Sequence, residues 1–313
     1  MFDFIGRLLG PVLYFIYNTI AFHNYGLSLI LFTILIKAAL LPLTMKQLKS
    51  TQKMQELQPE INKLQQRYKN DKEKLNQEMV KLYQDKGVNP MGGCLPMLFQ
   101  LPILFSLYYV IRMPLTYMYG WTKEVVGNFI IKVMSVMPNV FPANLNPFLS
   151  DYESVKADPL QVAKLFERNP YTEINLVGAI NEMPSLVEGG EKIINLNFLK
   201  IFNLGIRPTY DFKLISENPG LYIPALVLVL IAVASTYFSS KISMAKSQAS
   251  SGDNSQLNQT NKTMMLIGPL MTLFISFQAP LGLSLYWLIS NATQIAQQLF
   301  IDKILNKKKK EGE

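Results

Sequence analysis

Lys37 stands inside an apolar run, LSLILFTILIKAALL, with Ile36 and Ala38 on either side. The run is centred near Ile34, so Lys37 lies about 4–5 Å along the axis from the centre at ~1.5 Å per residue. An ammonium at that depth in a bilayer costs roughly 2.5–3.5 kcal/mol on insertion scales. Three things relieve the cost: a counter-ion, water in a cavity, or snorkelling of the lysine stem to the surface. None of the five long apolar segments contains Asp or Glu, so no intramembrane counter-ion is available. Snorkelling from this depth still calls for local water. The reading that remains is a hydrated groove, and a cation in such a groove is open to an acidic group on another molecule.

Neutral polar residues recur where a groove wall would need them. Thr33 lies one turn before Lys37 on the same helix face. Gln100 sits between Phe99 and Leu101 in the second apolar segment. The last segment carries Trp287, Asn291, Gln294 and Gln298 at helical spacing, with Tyr286, Ser290, Thr293 and Gln297 in a stripe beside them. Interhelical hydrogen bonding is the plainer use of Asn, Gln and Ser in membranes, and either use fits any one of these residues. The collection together with the lysine favours the groove. Other chemistries are poorly supplied. One Cys and one His exclude an intrachain disulfide and argue against a Ser/His or His-rich metal centre. No Gly-rich nucleotide loop is present. No enzyme activity, metal or cofactor is expected.

These residues must be positioned by helices in a bilayer. Charged residues make up 17% of the 313, against about a quarter in soluble domains, and they alternate with long apolar stretches. The fold expected is an all-α integral membrane protein with five transmembrane helices enclosing a hydrophilic groove. The spans fall at 25–43, 91–112 and 219–238, with the fourth and fifth inside 263–301, joined by the turn Ala279-Pro280-Leu281-Gly282. Residues 1–24 read as an amphipathic helix in the outer interface, the alternative being a sixth, incomplete span. They lack a basic start and a small-residue cleavage site, so no cleavable leader is expected. Segment 45–89 holds ten Lys/Arg, and the loop 239–262 and the tail 302–313 are also net basic. Those three regions therefore face the cytoplasm, and the N-terminus faces out. Within 44–90, Met54, Leu57, Ile61, Leu64 and Tyr68 form one helical stripe and Leu75, Met79 and Leu82 another, which predicts a helical hairpin. Pro59 is expected to bend the first of these helices or to start it. Residues 113–218 form a long outward segment with short helices near Val125–Met137 and Leu160–Arg168.

Several separated motifs resemble one family. The run Val88-Asn89-Pro90-Met91-Gly92-Gly93-Cys94-Leu95-Pro96, continuing to Gln100-Leu101-Pro102-Ile103, is similar to the signature of the YidC/Oxa/Alb membrane protein insertases. Leu35–Leu43 resembles that family's first core span, and Pro280–Trp287 with Ser290-Asn291 resembles its last. The resemblance covers roughly 25–112 and 195–303, which leaves about 113–194 as an insertion. It implies a groove open to cytoplasm and lipid, with Lys37 as its cation, Thr33 and Gln100 on the wall and Trp287 facing substrate. Lysine stands where bacterial members usually carry arginine, a compact charge in place of a planar one.

The function so implied is insertion and folding of nascent membrane proteins in the bacterial cell membrane. Their acidic outward segments would be captured transiently by Lys37, driven by hydrophobic transfer and the membrane potential. The alternative is a solute transporter or channel using Lys37 as an anion site. Nascent membrane proteins and anionic lipids are the expected partners, with a Sec translocon and the ribosome as further candidates. The basic run Lys307–Lys310 gains ~1 kcal/mol per residue near an anionic surface, with no specific partner required. Deleting 303–313 is therefore expected to leave co-sedimentation of the detergent-solubilised protein with ribosomes unchanged. Loss of ribosome binding on deletion would instead make the tail an RNA contact.

Overall fold

Capping side chains and prolines set most helix starts. The structure, a computed structural model, describes residues 2–88, 95–138, 140–141, 146–187, 193–249 and 255–310. Residues 89–94 of the signature run, including Cys94, lie outside the described residues, as do 250–254 of the basic loop and 311–313 of the tail. The chain divides into two compact units. One comprises Met1–Phe32, Pro102–Leu228 and Ser276–Leu285; the other comprises Thr33–Leu101, Val229–Ile275 and Tyr286–Glu313.

In the first unit, α1 (Phe2–Thr19) buries Leu9, Leu13, Ile16 and Tyr17 and leaves Phe4, Leu8 and Phe15 exposed. α2 (Tyr25–Ala39) starts here, capped by Asn24, whose side chain accepts from Leu27 N–H at 2.9 Å. α5 (Leu95–Arg112) leads into the single turn α6 (Pro114–Tyr117). Gly10 of α1 lies so close to α6 that a Cβ would run into the Tyr117 carbonyl. The 113–194 segment then folds as packed helices: α7 (Lys123–Val136), α8 (Asn146–Val155), α9 (Pro159–Phe166) and α10 (Thr172–Glu182). Thr122 and Asp158 cap α7 and α9 through their side-chain oxygens. Ile130, Val133, Val162, Phe166, Leu176 and Ile180 form their shared core. Gly127 permits the close approach of α7 to the Pro159 carbonyl, where a Cβ would collide. A small hairpin, β1 (Asn197–Phe198) with β2 (Phe202–Asn203), is the sole departure from all-helical structure among the described residues. α11 (Phe212–Glu217) follows it.

The second unit contains the helical hairpin formed by α3 (Leu41–Arg67) and α4 (Lys72–Asp85). Leu57, Ile61 and Val88 are buried between them, with Met54, Met79, Leu82 and Tyr83 packed around. Asp71 caps α4, and Lys86 pairs with Glu60 at 2.9 Å across the hairpin. Pro59 sits inside α3, which runs through it. Three long helices complete the chain: α12 (Pro219–Ala249), α13 (Ser255–Ser276) and α14 (Leu281–Lys310). Among the described residues, α12 alone carries a stretch long and apolar enough to cross a bilayer, Pro219–Ser243. α2 and α3 reach that standard only together, across a bend of 61°, and α13 adds a shorter apolar run, Met265–Ser276. The segment expected at 25–43 bends at Leu40, where Pro42 interrupts the ladder.

Among the described residues, Glu173 is the one carboxylate buried in the first unit's helical core, 4% exposed. It accepts from Thr116 N–H at 3.0 Å and from Thr116 Oγ1 at 2.5 Å, joining α10 to α6. Burial pushes its carboxyl up to about 7, against the hydrogen bonds from Thr116 that favour the charged form. A raised carboxyl binds more protons folded than unfolded, so stability is full at acid pH and falls as pH rises from about 4.5 through about 7. The loss is on the order of 3 kcal/mol at most. Thermal unfolding of the purified protein between pH 5 and pH 8.5 is expected to show this decline, and Glu173→Gln to flatten it.

Candidate functional site

α2 stops where Pro42 cannot donate to the Ala38 carbonyl, which puts Lys37 in its last turn. The Lys37 carbonyl is then among those the helix leaves without a partner of its own. Gln297 of α14 fills that need, donating its amide to the Lys37 carbonyl at 2.9 Å. The Lys37 side chain turns to α5, where Nζ donates to Gln100 Oε1 at 3.4 Å. That is long for an N–H···O bond. Gln100 donates its own amide to the Tyr286 hydroxyl, and Ser290 hydrogen-bonds to the same hydroxyl. Lys37, Gln100, Tyr286 and Ser290 thus form one chain of polar groups linking α2, α5 and α14.

The electrostatics of this chain are unusual in one respect. No carboxylate pairs with Lys37 among the described residues. An ammonium carries three donors, and here one long bond to a neutral amide is what those residues offer it. Thr33, one turn earlier, is 1% exposed, while Trp287 and Gln294 are half-buried on α14. The arrangement holds a positive charge in place without neutralising it. It offers no nucleophile–base pair and, among the described residues, no cluster of metal-ligating side chains.

The other polar residues of α14 serve a different purpose. Asn291, 8% exposed, donates to Ser235 Oγ at 2.9 Å and Thr236 Oγ1 at 2.8 Å on α12. Thr236 in turn meets Thr272 of α13 at 3.2 Å, so one network ties three helices. Gln298 accepts from Ser243 at 3.1 Å, and Thr293 bonds back to its own helix at the Ile289 carbonyl. The residues anticipated as one wall therefore divide: Lys37, Gln100, Tyr286 and Ser290 come together, whereas Asn291 and Gln298 knit helices. Sequence reasoning missed Ser235, Thr236, Ser243 and Thr272. The hydroxyl series Ser235, Thr236, Ser239, Ser240 and Ser243 in an apolar helix was the available signal.

Comparison with known proteins gives this geometry a context. A protein from Treponema denticola named Membrane protein insertase YidC is 29% identical over 307 residues, covering 96% of this chain and 38% of its own length. Proteins of the same name from Clostridium perfringens and Fusobacterium nucleatum are 60% identical over 87 residues and 52% identical over 112. Those matches cover 28% and 35% of this chain and 37% and 55% of the relatives. The chain thus spans well under two thirds of these relatives' length. The family pattern described as 60Kd inner membrane protein matches residues 15–310, nearly the whole sequence, and the chain belongs to that family.

Proposed function

We propose that this chain inserts nascent membrane proteins into the bacterial cell membrane and helps them fold, without catalysing a covalent reaction. The observation that carries the reading is the Lys37 ammonium, held by the neutral amide of Gln100 with no acidic partner among the described residues. The name shared by the relatives, Membrane protein insertase YidC, supports it. In this proposal α2, α5, α12, α13 and α14 are the five spans. The α3–α4 hairpin and the C-terminal tail lie in the cytoplasm, and the N-terminus and the 113–218 segment lie outside.

The proposed steps follow from the charge. A nascent chain reaches the cytoplasmic mouth, and its short acidic outward segment is drawn to Lys37. Gln100, Tyr286, Ser290 and Thr33 lower the cost of bringing polar backbone partway across, with Trp287 and Gln294 beside them. The substrate's apolar helix then moves into lipid, driven by hydrophobic transfer and the membrane potential. Ribosome, Sec translocon and anionic lipid are partners consistent with this path. A solute transporter would use the same lysine as a fixed anion site, and the test below separates the two by its substrate.

Two unit charges at ~4 Å in a medium of effective dielectric ~20 attract by about 4 kcal/mol before desolvation. If only a third of that survives, loss of the charge slows capture about tenfold. Insertion of a small single-span protein with an acidic outward segment, measured in liposomes, is therefore expected to persist in Lys37→Arg. It should fall about tenfold in Lys37→Ala and further in Lys37→Glu. A substrate with a neutral outward segment should be much less affected. Normal insertion of the acidic substrate by Lys37→Glu would overturn electrostatic capture.

A further inference from the structure

Among the described residues, four that are not glycine adopt positive φ, and they fall in two pairs: Phe22-His23 at 51° and 58°, and Leu199-Lys200 at 53° and 58°. Each pair forms the centre of a four-residue turn. Asn24 N–H donates to the Ala21 carbonyl at 2.9 Å, and Ile201 N–H donates to the Phe198 carbonyl at 3.2 Å. Two consecutive left-handed residues are the φ pattern of a type I′ turn, which Asn-Gly satisfies cheaply and bulky residues do not. Both turns therefore carry avoidable backbone strain, and both carry it with the same residue pattern, an apolar side chain followed by a nitrogenous one.

The first turn closes the end of α1, with His23 N–H donating to the Tyr17 carbonyl at 3.0 Å and the His23 ring meeting the Tyr17 ring edge-on at 5.4 Å, but burial of the bulky apolar side chains does not repay the strain. Phe22 is 84% exposed and Leu199 62%, and His23 and Lys200 are exposed beside them. The two turns are also neighbours. Gly26, in the first turn of α2, lies against the Phe198 ring, and a Cβ there would overlap it. One turn thus immediately precedes α2, and the other packs on α2's first turn through the residue that opens its own turn.

We propose that these paired tips are a lipid-seating device, with Phe22 and Leu199 inserted among the outer-leaflet headgroups and His23 and Lys200 facing lipid phosphate. The inference rests on the reading of α2 as a membrane span entered from outside. It is argued from three observations together. The tips adjoin the first residues of α2, which sets them at the height where α2 enters the apolar layer. Exposed apolar side chains next to donors suit an interface that is apolar on one side and anionic on the other. Phe22 and Leu199 hold left-handed positions while staying 84% and 62% exposed, so core packing does not account for a bulky apolar residue at either one. A surface seated this way would fix the depth of the α2 entry, and with it the depth of Lys37.

The test uses the full chain in vesicles of phosphatidylethanolamine and phosphatidylglycerol, in a Cys94→Ser background. Nitroxide labels are placed singly at Phe22→Cys and Leu199→Cys, with Leu230→Cys on α12 as the deep reference and Glu73→Cys on α4 as the aqueous one. Power saturation with oxygen and a water-soluble nickel chelate reads depth. Labels at 22 and 199 are expected to show an oxygen-to-nickel accessibility ratio severalfold above residue 73 and below residue 230. Ratios at 22 and 199 equal to residue 73, with residue 230 deep, would overturn the proposal alone. A residue 230 label as aqueous as residue 73 would overturn the membrane reading and the proposal with it.

Discussion

An ammonium in an apolar helix must be compensated, and the manner of compensation decides what the helix can do. Had Lys37 been given an aspartate across the helix interface, the pair would be electrically complete and of little use to a third group. It is given a glutamine instead. A neutral amide holds the charge in position and leaves its field uncancelled. The orientation of that amide is fixed in turn by Tyr286, which takes the Gln100 N–H and so leaves the Gln100 carbonyl for Lys37. The break in α2 belongs to the same arrangement, since the bend at Leu40 strands the Lys37 carbonyl and Gln297 must answer it. Lys37 is thus clamped at both backbone and side chain by neutral amides.

The surrounding helices are joined by a separate set of polar contacts. Asn291, Ser235, Thr236 and Thr272 form hydrogen bonds among α12, α13 and α14. Gly268 of α13 faces Thr236 and Ser240 of α12 with room for a methyl group, so the hydrogen bonds rather than a glycine contact define this joint. In lipid, polar bonds and close packing replace the hydrophobic force that assembles soluble helices. This division gives the long helices a bonded frame at Asn291 and keeps Lys37, Gln100 and Tyr286 apart from it. A polar residue in the frame is satisfied by its neighbours, whereas the cation is not.

Much of this was legible from residue types. Lys37 announced itself because a charge in an apolar run is costly, Gln100 because it is a lone amide between Phe99 and Leu101, and Tyr286 because it stands in a polar stripe at helical spacing. The α3–α4 hairpin followed from its two apolar stripes, and Leu57, Ile61, Met79 and Leu82 do meet. What could not be read was pairing. Spacing along α14 puts Asn291 and Tyr286 on adjoining stripes, yet which neighbouring helix each one faces depends on helix rotation, which no single segment encodes. In the 113–194 segment the short helices expected near Val125–Met137 and Leu160–Arg168 are present as α7 and α9, but their packing was opaque for a related reason. The helices are short and their apolar faces become intelligible only once Gly127 is seen to admit α9 against α7. The positive φ at Phe22 and Leu199 had no sequence signal, because neither residue favours that conformation.

The central claim is that the Lys37 neighbourhood is wet and reachable while the Asn291 neighbourhood is a dry structural joint. Single cysteines at Gln100→Cys and Asn291→Cys, in a Cys94→Ser background, separate the two directly when challenged with a water-soluble maleimide from the cytoplasmic side of sealed vesicles. The account predicts labelling at residue 100 and little or none at residue 291. Equal resistance at both positions would mean that Lys37 sits in a packed, dry interior, and would contradict it.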